Sequence, residues 1–457
     1  MKKLFSLTRL LQITRADANT HFRVLEWCRD GVASACRRAT ARRISIGDHL
    51  HYILPSSGRP VESPAVDKQT LVTCRSRTPG GILAVFLILI PLPAVAAEMG
   101  PRIKAEELLN GRILVNLQGR VHVFGRGTLI DQRPDGYTVR AMIDGDSDQF
   151  SITTTVRGLT GIWMTTSSGN YEIFPDQLGN TVLRKLVAAE GCVTEVRASS
   201  EARVADTAIS GGKRRAVAPY GPFIFWVNQW YTPQVLTKLG SEDAVRLKMQ
   251  MAIDQINVIF ARAKLPQIQF RTRNVYLYTG GGESGSDRAA LDKDLFAFAG
   301  SADVNEKRNT DHVHFSTLWR ESGNGVTWRP IEYFSRDQGF QVISEAGALG
   351  YIFVHEIVHS FGGDHDPANA LQGFAGSGGV DAQDPAPYAR GYLDETGLFS
   401  CLMSYHTQTS CAWCETAPFI SSSDPALLYK GRPTGTPMND NARVVRENFL
   451  KVFAYAR

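Results

Sequence analysis

The sequence lacks an apolar run long enough to cross a membrane as a helix. Its most apolar stretch, residues 82–90, spans nine residues and is closed by Pro91, whereas a spanning helix needs roughly 20. Arg75 and Arg77 precede this stretch, and small residues follow it. A basic start, a short apolar centre and a small-residue end are typical of a cleaved export signal. We therefore predict a signal peptide at residues 75–97, a secreted or periplasmic product and no stable membrane anchor in the mature form.

Residues 1–74 stand ahead of this predicted signal. They are rich in Arg and Ser and show no sustained hydrophobic period. Two interpretations stay open: a long leader, or a wrongly assigned start with true initiation near Leu71 or Val72. We favour the second, because an extension ahead of an export signal has no clear physical task.

The chain also lacks a strong charge imbalance and any internal repeat. Its formal net charge is only +5, so we predict no nucleic-acid partner. Hydrophobic residues make up 43% of the chain, a content typical of globular rather than disordered proteins. A chain of 457 residues is too long for one ordinary core, so we expect two or three modules.

Cysteine is scarce, with seven residues in the whole chain. Cleavage after the predicted signal would leave four of them in the exported product, namely Cys192, Cys401, Cys411 and Cys414. Because export leads to an oxidising compartment, we expect a disulfide within the C-terminal cluster of three. The spacing of the cysteines does not define their pairing.

The pattern of residues 98–215 predicts a small β-rich, propeptide-like domain that ends in a linker. Residues 113–124 alternate apolar and polar side chains around Gly119, a candidate turn, and further short runs rich in Val, Ile and Thr follow. The linker, residues 199–216, is small and polar. It contains the basic triplet 213–215, which is either a processing site or a solvated charge run.

The pattern of residues 216–457 predicts a mixed α/β domain. Apolar and aromatic runs indicate strands at residues 223–231, 268–278, 311–318 and 341–344. The last of these is a candidate edge strand. Helical spacing indicates helices at residues 241–263 and 348–361, the first with Ser241 as its N-cap.

The second of these helices carries an H-E-x-x-H motif, formed by His355, Glu356 and His359. Positions i and i+4 lie one turn apart on one helix face, so both imidazoles can reach a single zinc ion at about 2.0–2.1 Å. Glu356 lies beside them without being a ligand. It is the candidate general base, because zinc lowers the pKa of a bound water to about 7.

The motif continues to a third histidine. Gly362 can adopt a positive φ, end the helix and turn the chain, which brings His365 back towards the metal. Three histidine ligands leave a fourth position for water, the arrangement of a catalytic zinc site. We therefore predict Zn2+ as the cofactor, bound by His355, His359 and His365.

The string HEIVHSFGGDHD at residues 355–366 resembles the long zinc motif of the metzincin metalloendopeptidases. Asp366, directly after the third histidine, is similar to the reprolysin or adamalysin branch, and the C-terminal residues resemble its bacterial members. The string CLMSY at residues 401–405 resembles the methionine turn of metzincins. The resemblance implies a metzincin-like α/β (α+β) catalytic domain with a mixed twisted sheet and an active-site helix. It also implies that Met403 packs beneath the ligands, that Tyr405 approaches the substrate, and that the substrate is a protein or peptide.

Three further residues have competing interpretations. Cys192 is a candidate zymogen switch, because propeptide cysteines of several metzincins occupy the fourth zinc position as thiolates. A disulfide partner or a buried thiol are the alternatives. His312 and His314 alternate along the predicted strand at 311–318 and would share one face. We favour a core or cleft pair over a second metal site.

Together these patterns predict an exported, zymogen-like zinc endopeptidase with Glu356 as general base. A non-catalytic zinc-binding module at the cell surface is the first alternative, and Glu356 argues against it because zinc binding alone does not need that carboxylate. A zinc hydrolase with a non-protein substrate is the second alternative, and the resemblance to a methionine turn disfavours it. The sequence carries no readable code for substrate preference.

Overall fold

The structure is a computed structural model that describes residues 70–77, 83–90, 98–99, 103–117, 119–186, 193–195, 222–281, 283–330, 334–367, 386–404 and 414–456. The chain divides into two compact units, Met1–Pro93 and Ala94–Arg457. In the first unit, β1 (Thr70–Arg77) pairs antiparallel with β2 (Leu83–Ile90), which covers most of the apolar stretch of the predicted signal. Among the described residues, no helix is long and apolar enough to cross a membrane.

The second unit begins with a nine-stranded antiparallel sheet, here called the sheet module (residues 98–186). Its elements are β3 (Glu98–Met99), α1 (Ala105–Asn110), β4 (Ile113–Leu117), β5 (Arg120–Phe124), β6 (Thr128–Arg133), β7 (Gly136–Ile143), β8 (Asp146–Val156), β9 (Leu159–Thr166), β10 (Gly169–Pro175) and β11 (Thr181–Leu186). Most neighbours in the sheet are also neighbours in the chain; the exceptions are β3, which pairs with β11, and β5, which pairs with β7. The predicted β-rich region is therefore a meander of short hairpins.

Glycine-containing turns explain this meander. The turn at Asp144 and Gly145 has φ values of 54° and 75°, and the turn at Arg157 and Gly158 has φ values of 49° and 84°. Two successive positive φ angles define the hairpin turn whose twist matches that of the flanking strands. The turn predicted at Gly119, where φ is 82°, likewise lies between β4 and β5.

The C-terminal domain (residues 222–456) contains most of a six-stranded mixed sheet in the order β12-β16-β17-β15-β13-β14. The strands are β12 (Val193–Glu195), which precedes the domain in the chain, β13 (Phe223–Tyr231), β14 (Ile268–Leu277), β15 (Phe315–Arg320), β16 (Gly325–Trp328) and β17 (Phe340–Ser344). All neighbouring strands are parallel except β16 and β17. The strands predicted at 223–231 and 268–278 are confirmed.

The remaining elements of this domain are helices and short strands. They are α2 (Pro233–Leu239), α3 (Glu242–Arg262), α4 (Arg288–Gly300), α5 (Ala302–Asp311), α6 (Glu345–Gly347), α7 (Phe353–Ser360), α8 (Asn441–Phe453), β18 (Phe399–Ser400), β19 (Glu415–Thr416), β20 (Leu428–Tyr429) and β21 (Arg432–Pro433). The backbone N–H of Ala244 donates to Ser241 Oγ at 3.1 Å, which confirms the predicted N-cap of α3.

Helix α3 lies between the two sheets and is buried on almost every face. It packs against β8 and β9 of the sheet module on one side and against β14 on the other. Its buried residues include Lys248 and Asp254 as well as apolar side chains. The two sheets and α3 therefore form three layers, and α7 lies beside α3 on the side of the C-terminal sheet.

Three sequence-based assignments were wrong. The strand predicted at 311–318 starts only at Phe315, because α5 runs to Asp311 and ends at His312 in the left-handed conformation, with φ at 52°. The segment predicted as an edge strand, β17, lies inside the sheet, because the unpredicted β16 pairs beyond it. The helix predicted at 348–361 is interrupted by a π-helical turn, Ala348–Ile352, in which Tyr351 has a φ of 79°.

Candidate metal centre

Helix α7 brings the motif residues to one buried place. His355, Glu356 and His359 are each at most 5% exposed. The helix ends at Ser360, and Gly362 adopts the predicted positive φ, at 94°. The backbone N–H of Gly362 donates to the carbonyl of His359 at 2.8 Å, and this turn directs the chain back to His365.

The three histidines converge on one point through their Nε2 atoms. The Nε2 separations are 2.9 Å between His359 and His355, 2.9 Å between His359 and His365, and 3.1 Å between His355 and His365. Ligands at about 2.0–2.1 Å from one tetrahedral centre lie about 3.3–3.4 Å apart. The observed separations are close to that geometry, so the three residues fit a shared metal ion.

Hydrogen bonds on the opposite side of the rings assign the tautomers. His355 Nδ1 lies 2.7 Å from the carbonyl oxygen of Leu402, and His359 Nδ1 lies 2.8 Å from that of Gly363. A carbonyl only accepts, so Nδ1 carries the proton and Nε2 presents its lone pair. Burial lowers the pKa of His355 to about 4 and holds those of His359 and His365 well below the usual value. Neutral imidazoles facing one another with lone pairs are the donor set that a metal cation requires.

A charged cluster holds the turn that carries His365. The Asp364 carboxylate accepts from the backbone N–H of His365 at 2.8 Å and pairs with Arg329 at 3.1 Å and with Arg390. Arg329 Nε also donates to the carbonyl of Gly362 at 3.0 Å. Both arginines therefore fix the chain between the second and the third histidine.

The C-terminal helix closes the same turn. Asn441, the first residue of α8, accepts from the backbone N–H of Asp364 and donates to the carbonyl of the same residue, both at 3.0 Å. Further along α8, Asn448 donates to the carbonyl of Phe361 at 2.9 Å. The end of α7 and the third histidine are thus held from a helix that starts 76 residues after His365.

The segment with the candidate methionine turn lies directly against the histidines. Leu402 supplies the carbonyl that accepts from His355, and the backbone N–H of Ser404 donates to the carbonyl of Cys401 at 3.1 Å, which closes a turn. Met403 is fully buried and shares one hydrophobic core with Phe353 of α7. Tyr405 lies outside the described residues.

Strand β16 passes beside Glu356. A methyl group added to Gly325, the first residue of β16, would come within 2.4 Å of Glu356 Oε1. The glycine therefore allows the carboxylate to lie against the strand backbone. Gln341 of β17 donates to Ser360 Oγ at 3.0 Å, and this bond ties the end of α7 to the same sheet.

The cysteines divide into two states. Cys401 carries a free, fully buried thiol, and burial raises its pKa, with a smaller contribution from Asp366. Cys414 is disulfide-bonded. Asp366 itself is buried next to His365. Cys192 and Cys411 lie outside the described residues.

The structure separates His312 from His314, contrary to the shared strand face expected from sequence. His312 ends α5, and His314 precedes β15. His314 Nδ1 accepts from the backbone N–H of Trp226 at 3.0 Å, and its ring packs between Phe225 and Phe453. Burial lowers its pKa to about 4. His314 is a core residue, as favoured from sequence.

The sequence model of the metallo-peptidase family M12, of reprolysin type, matches residues 230–414. This range includes the three histidines, Glu356 and the turn at 401–404. Residues 230–414 are therefore similar to metallo-peptidases of family M12. The resemblance to reprolysin-type metallopeptidases predicted from the zinc motif is confirmed at the level of this family model. Among curated proteins, no sequence matches the chain.

Two solved structures are similar to this chain at a low level. One, described as a chaperone–substrate complex, is 16% identical with a TM-score of 0.37 and covers 66% of this chain and 39% of its own. This chain thus spans about two fifths of that structure. The other, metalloproteinase-II from Bacteroides fragilis, is 9% identical with a TM-score of 0.37 and covers 56% of this chain and 81% of its own. At these scores neither similarity carries an argument.

Sequence inspection missed several residues that support the histidine site. They are Gly325, Arg329, Asp364, Arg390 and Asn441. Asp364 lies within the zinc motif and could have been found from its position between two ligands. The others contact the site from segments far away in the chain, so local spacing contains no signal for them.

Proposed function

We propose that the chain is an exported zinc-dependent endopeptidase whose C-terminal domain is a metzincin-like catalytic domain. The observation that carries the proposal is the convergence of His355, His359 and His365, with Nε2 atoms within 3.1 Å of one another, beside the buried Glu356. Zinc held by three imidazoles would polarise the scissile carbonyl and make water nucleophilic near neutral pH.

Glu356 is the proposed general base. It follows the first ligand directly on α7, and its carboxylate lies against Gly325 at the start of β16. From there it would accept a proton from the attacking water and deliver it to the leaving amine. A zinc site that only binds a partner has no use for a buried carboxylate at this place, so this residue favours catalysis.

Strand β16 is the proposed docking edge for a peptide. Its first residue lies against Glu356. Within the C-terminal domain only β17 pairs with β16, and the other side of β16 is occupied by β12, which precedes the domain in the chain. An extended substrate pairing with the other side would place a peptide bond near the histidines. Backbone pairing of this kind binds proteins with little dependence on sequence.

We also propose that residues 98–215 restrain the peptidase before processing. The support is β12, which runs parallel to β16 and pairs Val193 with Val326 and Thr194 with Thr327, thereby occupying the edge that a substrate would use. Cys192 directly precedes β12 in the sequence and stays the candidate thiolate for the fourth zinc position. The basic triplet 213–215 is the proposed processing site. Export through a signal at residues 75–97 is part of the same proposal.

The decisive experiment is digestion of a mixed protein substrate by the processed chain, with and without a chelator. We expect cleavage that the chelator abolishes. The Glu356→Gln variant should keep stoichiometric zinc and lose about 10²- to 10⁴-fold in rate. His359→Ala should lose the zinc itself, because two remaining ligands hold it weakly.

The outcomes separate the alternatives. A Glu356→Gln variant that cleaves at the wild-type rate would refute the proposed base. A processed wild-type chain that retains zinc but leaves every protein intact would favour a binding module or a hydrolase with another substrate.

A further inference from the structure

Helix α3 is shared between the sheet module and the C-terminal domain. Phe150 and Trp163 of the module lie in one hydrophobic core with Val245 of the helix. At the closest approach, a methyl group on Gly161 of β9 would come within 2.2 Å of Met251 Sδ. A continuous core with so little clearance is typical of an obligate interface rather than of a surface that separates in use.

A buried cation crosses this interface. Lys248 of α3 is 1% exposed and pairs with Glu172 of β10 and, at 3.0 Å, with Glu345 of α6. Glu172 and Glu345 are each at most 2% exposed. If the sheet module left, Lys248 would lose one of its two carboxylate partners. Separation would therefore break this buried ion pair and expose both of its groups to solvent.

A buried anion on the same helix depends on the module even more. Asp254 is 2% exposed and accepts from Thr138 Oγ1 at 2.6 Å and from Thr154 Oγ1 at 2.8 Å. Arg133 lies 3.6 Å away. All three of these partners belong to the sheet module. The helix therefore carries two buried charges that are paired with side chains of the sheet module.

The module also contacts the turn directly before α7, the helix that carries His355 and His359 and is here called the metal helix. Tyr351 precedes α7 with a φ of 79°, a conformation that is strained for a bulky residue and persists only where its surroundings hold it. Its hydroxyl donates to Asn170 Oδ1 of β10 at 2.8 Å, and its ring packs edge-on against Trp163 at 5.9 Å. Residues of the sheet module thus hold the turn directly before His355.

We infer that the sheet module is a permanent noncovalent partner of the C-terminal domain, retained after the linker is cut, and that it positions the metal helix through Tyr351. Retention of the module does not depend on the proposed peptidase activity, and the positioning role rests only on the proposed zinc site. It confines the proposed restraint to the segment around β12. Processing at the linker would free that segment on one side and leave the module bound.

The first test cuts the linker. A recognition sequence for a site-specific protease is inserted between Ser210 and Gly211 of the full chain, which also carries Glu356→Gln to prevent self-digestion. After complete cleavage, we expect both fragments to elute together in size-exclusion chromatography and to form a 1:1 complex in native mass spectrometry. Fragments that elute separately at micromolar concentration would overturn the inference. Neither result depends on peptidase activity, so failure here is distinct from failure of the proposed function.

The second test addresses the metal helix. Asn170→Ala removes the acceptor for Tyr351, and we expect zinc affinity, measured by competition with a chelator, to fall about fivefold, the effect of one lost hydrogen bond. Asn170→Asp keeps an acceptor oxygen and should restore affinity to within about twofold of wild type. The matched control is Asn116→Ala on the exposed side of β4, which should leave zinc affinity unchanged. Equal zinc affinities in Asn170→Ala and Asn116→Ala would overturn the positioning role of the module.

Discussion

Replacing Asn441 with alanine should loosen the turn that carries His365. Asn441 is fully buried at the start of α8. Its amide oxygen accepts from the backbone N–H of Asp364, and its amide nitrogen donates to the carbonyl of Asp364, both at 3.0 Å. One side chain therefore binds both backbone groups of the residue that precedes the third histidine.

The size of the effect follows from these two bonds. Each buried backbone group that loses its partner costs about 1–3 kcal/mol, so the free energy of unfolding should fall by roughly 2–6 kcal/mol. Entry of water into the vacated space would place the value at the low end. Because His365 is the adjacent residue, part of the loss should appear in metal binding. Residues that hold a ligand from behind commonly change metal affinity by about 10- to 100-fold.

Two measurements separate the contributions. Denaturant unfolding in the presence of chelator reports the loss of stability of the apoprotein, and chelator competition reports zinc affinity. We expect both quantities to fall in Asn441→Ala. The matched control is Leu450→Ala on the same helix, where the side chain is 58% exposed. This control should change stability by less than about 0.5 kcal/mol and leave zinc affinity unchanged.

One result would refute the reasoning. If Asn441→Ala is destabilised but binds zinc as tightly as the wild type, Asn441 anchors α8 without positioning His365. The variant Asn441→Asp tests an intermediate case, because it keeps the acceptor for the backbone N–H of Asp364 and loses the donor to the carbonyl of Asp364. Its zinc affinity should lie between those of wild type and Asn441→Ala.

Three further predictions concern maturation. If residues around β12 restrain the peptidase, the uncut precursor should be nearly inactive and should gain activity on cleavage near residues 213–215, measured as hydrolysis of a quenched peptide; a precursor as active as the cut form would contradict the restraint. Within that precursor, Cys192→Ser should raise activity if a thiolate blocks the zinc, whereas unchanged latency would assign the restraint to β12 alone. Mass spectrometry of the secreted protein should show an N-terminus after about Ala96 or Ala97, and a product that still contains Cys28 would refute the export signal.

Segments with a strong hydrophobic period were predictable from the sequence. Segments that are too polar or too short to show such a period were not. Helix α3 and strands β13 and β14 agree with the predictions, because long runs of apolar residues at helical or strand spacing leave few alternatives. The assignment at residues 311–318 failed because it began inside α5, whose polar sequence shows no clear apolar stripe. The four residues of β16 are too few to show a period, and their place in the sheet comes from pairing with β17.

The sequence by itself determined the local arrangement of the candidate metal ligands. His355 and His359 are one helical turn apart, and Gly362 supplies the positive φ that returns the chain to His365, so the geometry arises within eleven residues. Only the tertiary structure decided what holds that arrangement in place. Asn441 binds Asp364, which lies 77 positions away in the chain, and Asn170 binds Tyr351, which lies 181 positions away. Such contacts depend on how sheets and helices pack, and local periodicity carries no information about partners so distant in the chain.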